Sequence, residues 1–502
     1  MEASGNEQQK NKRKGKSVLV GIAMLYCVFS IGQILNACRF SFFTLDDYWN
    51  TVWALEGQGG TQNSLWAHFA DSLSFTRQMF LGWQGTWLAA FFQAFLNPLL
   101  LLKVGPGQER LLHLILASVV LLFFLSIFLV LYEIIRLLYG KSLALSMIIY
   151  AILLFSLLNF GVYKENFYWF TGVGGYSVPF CCGMFGIYVL LLPAGRNYAG
   201  GRRGACYVLS AILLFCATGG SLQVTGIICG GLMTLTVMAV KEKRYRFPAL
   251  SSFSIALIGA LLNTAAPGNY VRAKVISQSG LNLPEAVRNT LYSSLYEMEE
   301  LWQSTPFVVA FLVIMGVGIR MAERVTRQTR ERIVLMIVCS FCMIFIAIFP
   351  VVLAYRDPNL ADRNQLYAYF CMIVALLLTG GYIGIRVQPF FHLGQWQVVL
   401  SIAMLCVICA GRFSIFHAPD RVQMMQMKRL EDYTSGDISM YYTKVERVID
   451  KLRNKDGLSI TRKDIPETAP DTTMAFTLMD NNGEKVYDFM SSYYGYQSLP
   501  LR

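Results

Sequence analysis

The chain has 502 residues, 55% of them hydrophobic and only 15% charged, where a soluble domain carries closer to a quarter charged residues. The net charge of +12 comes without a basic stripe interleaved with aromatics on a soluble domain, so a nucleic-acid partner is excluded. Lys and Arg collecting in the cytoplasmic loops of a bilayer protein account for it instead.

In chain order, Lys10 to Lys16 form a basic segment ahead of the first apolar run, Val18 to Cys38. The run is longer than the core of a secretory signal and no small-x-small cleavage site follows. It reads as an uncleaved signal anchor behind a cytoplasmic tail, residues 1–17. Leu111 to Ile135, Ile333 to Leu353 and Leu366 to Ile385 are also long enough to cross ~30 Å of hydrocarbon as helices. These runs lack a polar face, and lipid cannot hydrogen-bond a bare backbone, so they must be helical. Eleven spans are predicted in a transmembrane domain over 18–412, near 18–38, 111–135, 142–160, 177–193, 205–217, 222–240, 248–265, 306–320, 333–353, 366–385 and 395–412.

The stretch Met79 to Leu102 is apolar too, but Gly82, Gln84, Gly85, Gln93, Asn97 and Pro98 interrupt it. If it spanned, every later loop would invert and the basic clusters (Arg196, Arg202 and Arg203; Lys241 to Arg246; Arg320 to Arg332) would face outward. The positive-inside bias therefore makes it an interfacial or re-entrant hairpin. Loops 39–110, 161–176, 266–305 and 354–365 then lie on the extracytoplasmic side, together with a C-terminal domain, 413–502. In that domain Met427, Leu430, Met440, Val445, Val448 and Leu452 have helical spacing. Leu458 to Thr461 and Met474 to Leu478 read as short strands, so a small mixed α/β cap is expected.

Most of the twelve cysteines lie in apolar runs, where they act as small hydrophobes. Cys339 and Cys342 have CxxC spacing but no second pair, which does not make a zinc site. The four histidines do not cluster, and neither HExxH nor a serine-hydrolase arrangement is present.

Chemistry-bearing residues gather in the expected outer loops. Asp46 and Asp47 follow the first span; adjacent carboxylates beside a bilayer are costly unless hydrated, paired or bound to a cation. A carboxylate there could take a proton from a hydroxyl, or it could cap a following helix. Lys164, Glu165 and Asn166 form a polar triplet inside an aromatic belt that includes Trp169 and Tyr176. Such a rim could stack and hydrogen-bond a sugar, or simply sit at the interface. Pro267-Gly268-Asn269 is a turn signature that would place Asn269 and Arg272 near the outer surface. Arg356 and Arg363 stand against the charge bias there. Binding phosphate would justify them, as would pairing with Asp357 and Asp362. No phosphate-loop or Rossmann glycine pattern accompanies any of these residues.

The acidic pair after the first span, followed by an interrupted apolar stretch in the same loop, resembles the GT-C glycosyltransferases, multi-span enzymes that use polyprenyl-phosphate-linked sugars. A closer resemblance is to a set of bacterial multi-span proteins related to surface-polysaccharide glucosyltransferases. It is carried by Asp46-Asp47-Tyr48, Trp169 to Pro179, Pro267 to Arg272 and Tyr493-Tyr494-Gly495. The Arg often found in the Trp-x-Gly-Arg segment of that set is Thr86 here.

The resemblance implies an all-α, GT-C-like fold and inverting transfer to a cell-surface glycan or lipid. Asp46 or Asp47 would be the base, and arginines such as Arg272, Arg356 or Arg363 would steady the leaving phosphate. It requires no cofactor, and a divalent cation is compatible with it. A transporter or flippase of lipid-linked sugars would instead carry mid-span charges and repeated halves. Broken helices would also fit that reading, and Gly219-Gly220-Ser221 and Gly380-Gly381 read as polar breaks. A polysaccharide polymerase or ligase would also use outer arginines but would not need the aspartate pair.

Overall fold

The computed structural model describes all residues except 1, 57–63, 141, 197, 244, 277–281, 391–423, 467, 477, 480–484 and 501–502. The span expected at 395–412 therefore lies outside the described residues. Among those described, eight helices are long and apolar enough to cross a membrane.

The first, α1 (Glu2–Ala37), carries the basic N-terminal segment and the first span as one helix. Four short helices follow: α2 (Leu45–Glu56), α3 (Leu65–Gly82), α4 (Trp87–Phe95) and α5 (Pro98–Leu101). The chain then runs back and forth through α6 (Gly107–Tyr139), α7 (Leu143–Leu157), α8 (Lys164–Phe167), α9 (Phe170–Gly172), α10 (Val178–Leu191), α11 (Gly200–Ala217), α12 (Leu222–Lys241) and α13 (Arg246–Thr264). After α14 (Pro267–Ile276) and α15 (Leu283–Gln303) come α16 (Thr305–Met321), α17 (Arg327–Tyr355) and α18 (Asp362–Val387). The tail holds α19 (Met425–Thr434), α20 (Asp437–Arg453) and α21 (Asp488–Tyr493).

Of the other expected spans, 142–160 is the 15-residue α7, and 205–217 lies in α11, whose first turn carries Arg202 and Arg203. The 79–102 stretch falls on the end of α3, on α4 and on α5, none both long and apolar enough to cross. Gly82 to Thr86 break it where Trp83 and Gln84 both donate to the Met79 carbonyl.

Small residues let the helices approach closely. A Cβ on Gly318 would collide with the Gly381 carbonyl, and one on Gly384 with the Met315 carbonyl. Gly380 and Gly381 thus form a crossing between α16 and α18 inside an unbroken helix, not the polar break expected from the sequence.

Two ends can be distinguished by what binds them together. At one end, buried Glu133 on α6 accepts from Arg136 and from Arg196 (2.8 Å), and Arg332 on α17 pairs with Glu242 (2.7 Å) and donates to the Leu137 carbonyl. The basic turns α6–α7, α10–α11, α12–α13 and α16–α17 meet here. At the other end lie α2 to α5, α8, α9, α14, α15 and the 356–362 connection.

The tail packs against that second end. Helix α20 buries Ile438, Tyr441, Val445, Val448, Ile449 and Leu452. Tyr441 and Phe476 meet Phe42, while Tyr442 meets Phe40. Arg453 pairs with Glu109 at the start of α6.

The tail corrects two expectations. Met427, Leu430 and Met440 are exposed, not part of the buried face. The expected strands are absent too: among the described residues of the tail only two isolated bridges occur, Met479 with Val486 and Lys485 with Pro500. Residues 457–464 form two 3-10 turns instead, held by a capping box between Thr461 and Asp464.

Candidate functional site

Asp47 sits in the first turn of α2 and is fully buried. Its Oδ2 accepts from the Thr44 backbone N–H (2.8 Å) and hydroxyl (3.2 Å), which caps α2. Its Oδ1 accepts from the Thr171 N–H (2.9 Å) and hydroxyl (2.6 Å) at the start of α9. One carboxylate therefore closes two helix N-termini and ties the segment after the first candidate span to the start of α9. Asn50 and Gln93 complete the joint by hydrogen-bonding the Thr171 hydroxyl (3.2 Å) and carbonyl (3.0 Å). Burial pushes the Asp47 carboxyl up to about 6, against the pull of those hydrogen bonds.

Asp46 has a different setting. It is exposed, and among the described residues no group hydrogen-bonds or ion-pairs with it. Surrounding protein nonetheless costs it hydration and raises its pKa, while Arg363 and Arg272 lower it and Glu165 raises it further.

Each of those two arginines lies over a tryptophan. Arg272 is 5.5 Å from the Trp83 ring and donates to Gln84 (2.5 Å) and to the Tyr355 hydroxyl (2.8 Å). Both partners are neutral, so Arg272 keeps its full charge. Arg363 is 5.7 Å from the Trp169 ring and pairs with Glu165 at 2.9 Å. Lys164 stands 3.8 Å from Asp362.

The remaining expected residues divide. Tyr176 stacks on Tyr367 and feels both Arg363 and Arg272, so it borders the same cluster. Asn166 is buried, and its amide donates to the Arg363 carbonyl (3.2 Å). Asn269 accepts from the Gly85 N–H (2.8 Å) and donates to the Asn263 carbonyl (2.6 Å), which makes it a latch between α14 and the α3–α4 turn. Arg356 takes a left-handed backbone conformation (φ 57°) at the end of α17, with its N–H on the Val352 carbonyl (2.8 Å).

Two expectations about local structure change. Pro267-Gly268-Asn269 starts a helix, with Pro267 at its first position, instead of making a turn. The segment after Trp169 is already helical, entering α10 through a π-turn at Val173–Ser177, so the loop expected at 161–176 ends at Trp169. Gly172 and Gly174 allow this, since a Cβ on either would press into Glu165 or Phe92.

Sequence reasoning passed over Thr44, Thr171, Gln84 and Tyr355. Thr44 had a local signal, its place three residues before Asp47 at the start of α2. The other three are joined to their partners only by the fold.

Among the described residues, no three His, Cys, Asp or Glu side chains come together to hold a metal ion. No family model, no curated protein and no solved structure matches this chain.

Proposed function

We propose that the protein is a membrane glycosyltransferase that moves a sugar from a polyprenyl-phosphate donor to a glycan or lipid acceptor on the extracytoplasmic face. The observation that carries this reading is the division of labour in the acidic pair. Asp47 is consumed by four hydrogen bonds, whereas Asp46 is unpartnered and faces two tryptophan-backed arginines.

Asp46 takes the proton of the acceptor hydroxyl as that oxygen bonds to the anomeric carbon. The bond from that carbon to the phosphate oxygen breaks, and the lipid phosphate leaves with the electron pair. Its charge is met by Arg272, whose partners leave it a net cation, and secondarily by Arg363. Trp83, Trp169 and Tyr176 supply ring faces on which a sugar can stack. Asp47, Asn166 and Asn269 hold the frame.

The test uses the full chain reconstituted in proteoliposomes with polyprenyl-phosphate-linked sugars and chromatographic detection of transfer. The Asp46→Asn variant should lose transfer by roughly 10²–10⁴-fold while melting like the wild type. Wild-type transfer by that variant would overturn the mechanism.

A further inference from the structure

Helix α19 carries an arginine that has no ion-pair partner among the described residues. Arg429 is fully buried, and its Nε, Nη1 and Nη2 all lack a hydrogen-bond partner among the described residues. A guanidinium has five N–H donors in a planar fork and stays protonated. Its one clear contact is the Tyr163 ring, 4.7 Å away. Asp432, one turn along the same helix, is within electrostatic reach of Arg429 but makes no ion pair with it, and accepts from the Thr472 hydroxyl at 2.6 Å.

The surroundings offer donors. Tyr163 and Tyr168, their rings 6.3 Å apart, are both buried with hydroxyls that lack partners. Cys38, at the end of the first span, lies within electrostatic reach of Arg429, Tyr168 and Tyr433. The level in the fold is set by contacts on either side. Three residues before Arg429, Gln426 accepts from the Tyr26 hydroxyl at 3.0 Å, inside the first candidate span. Four residues after it, Tyr433 packs on Phe40. Arg429 therefore sits beside the outer turns of that span, where an uncompensated charge is expensive and usually marks a site.

We propose that Arg429, with the hydroxyls of Tyr163 and Tyr168, binds a phosphate-type oxyanion that completes the seat of the tail against the first span. An oxyanion offers several acceptors, which suits a guanidinium that can only donate and two hydroxyls free to donate. It also brings a negative charge into direct contact with the guanidinium, which Asp432 does not. Arg429 is absent from the charges that act on Asp46, and the inference does not depend on the glycosyl-transfer reading.

Two sources share this chemistry, a lipid headgroup and free inorganic phosphate, and one experiment separates them. Full-length protein in neutral phosphatidylcholine nanodiscs is melted with inorganic phosphate or with equal chloride. A parallel set contains phosphatidic acid. If free phosphate fills the site, the wild type gains roughly 2–5 °C with phosphate and none with chloride. If a headgroup fills it, the gain comes only with phosphatidic acid, and native mass spectrometry finds the lipid retained.

Either gain should vanish in Arg429→Met. Because that variant removes a desolvated charge, it should melt no lower than the wild type in anion-free neutral discs. Tyr168→Phe, which keeps the ring, should fold and bind the anion several-fold more weakly. The proposal is overturned if neither phosphate source moves the wild type, or if both move Arg429→Met equally.

Discussion

Asp47 receives four donors on one carboxylate, and its replacement by asparagine cannot satisfy them. Whichever way the amide is turned, its NH2 points at a backbone N–H, of Thr44 or of Thr171. Asp47→Asn should therefore cost about 1–3 kcal/mol of stability, read as a lower melting temperature. Asp46→Asn meets no donor and should leave the melt unchanged while removing transfer. The reverse pattern would exchange their roles. Titration separates the two as well. Asp47 has its folded pKa raised to about 6, so its contribution to stability is present at low pH and is lost as pH rises through that value. Amide exchange at Thr44 and Thr171, corrected for intrinsic rates, should be slower at pH 5 than at pH 7. For Asp46 the relevant form is the anion. Transfer should rise with pH through a midpoint above the ordinary carboxylate value, and Arg363→Gln, by removing the strongest opposing charge, should move that midpoint higher still. The acidic pair itself was legible in the sequence, but its division was not. A local cap is visible in Thr44 and Asp47, whereas Thr171 is 124 positions from Asp47 and only the fold brings it there.

The elements around the site are set by contacts in which a side chain has no room. Gly85 lies against the Asn263 carbonyl, and Gly268 against the backbone nitrogens of Trp83 and Gln84 (2.6 and 2.5 Å from an ideal Cβ). Together with the Asn269 latch, this contact presses α14 onto the α3–α4 turn and so places Arg272 on Gln84 and Trp83. Gly85→Ala should open the contact at a cost of about 1–3 kcal/mol. Transfer should fall with it, because Arg272 moves with α14. A variant with normal activity and a normal melt would show that the latch positions nothing. Long apolar runs made the spans legible, since each needs only its own composition to be read. The helix from Phe170 was hidden, because a glycine-rich stretch reads as loop until Glu165 and Phe92 are seen to need the space. The tail strands failed for a related reason. The apolar residues around Leu458 suit a strand locally, but the cap between Thr461 and Asp464 turns the chain there.

At the scale of the whole molecule, charge separates the ends. Arg202, Arg203, Lys241, Arg320, Arg324, Arg327 and Arg330 crowd the turns at the Glu133 end. At the Asp46 end, Arg363 is paired with Glu165, and Arg453 is paired with Glu109. A bilayer reads such asymmetry as orientation, with the basic turns retained in the cytoplasm. That orientation can be tested without any assay of function. Ser492 is exposed in the tail that packs on the Asp46 end, and Arg202 is exposed at the start of α11 at the other. In intact cells a membrane-impermeant maleimide should label Ser492→Cys, and it should label Arg202→Cys only after lysis. The native cysteines Cys27, Cys38, Cys181 and Cys371 are buried, and exposed Cys342 lies within an apolar helix, where a charged reagent does not reach. The opposite labelling pattern would put Asp46, Arg272 and Arg363 in the cytoplasm. A donor presented on the outer leaflet could not meet them there, and the proposed chemistry would fall with the orientation.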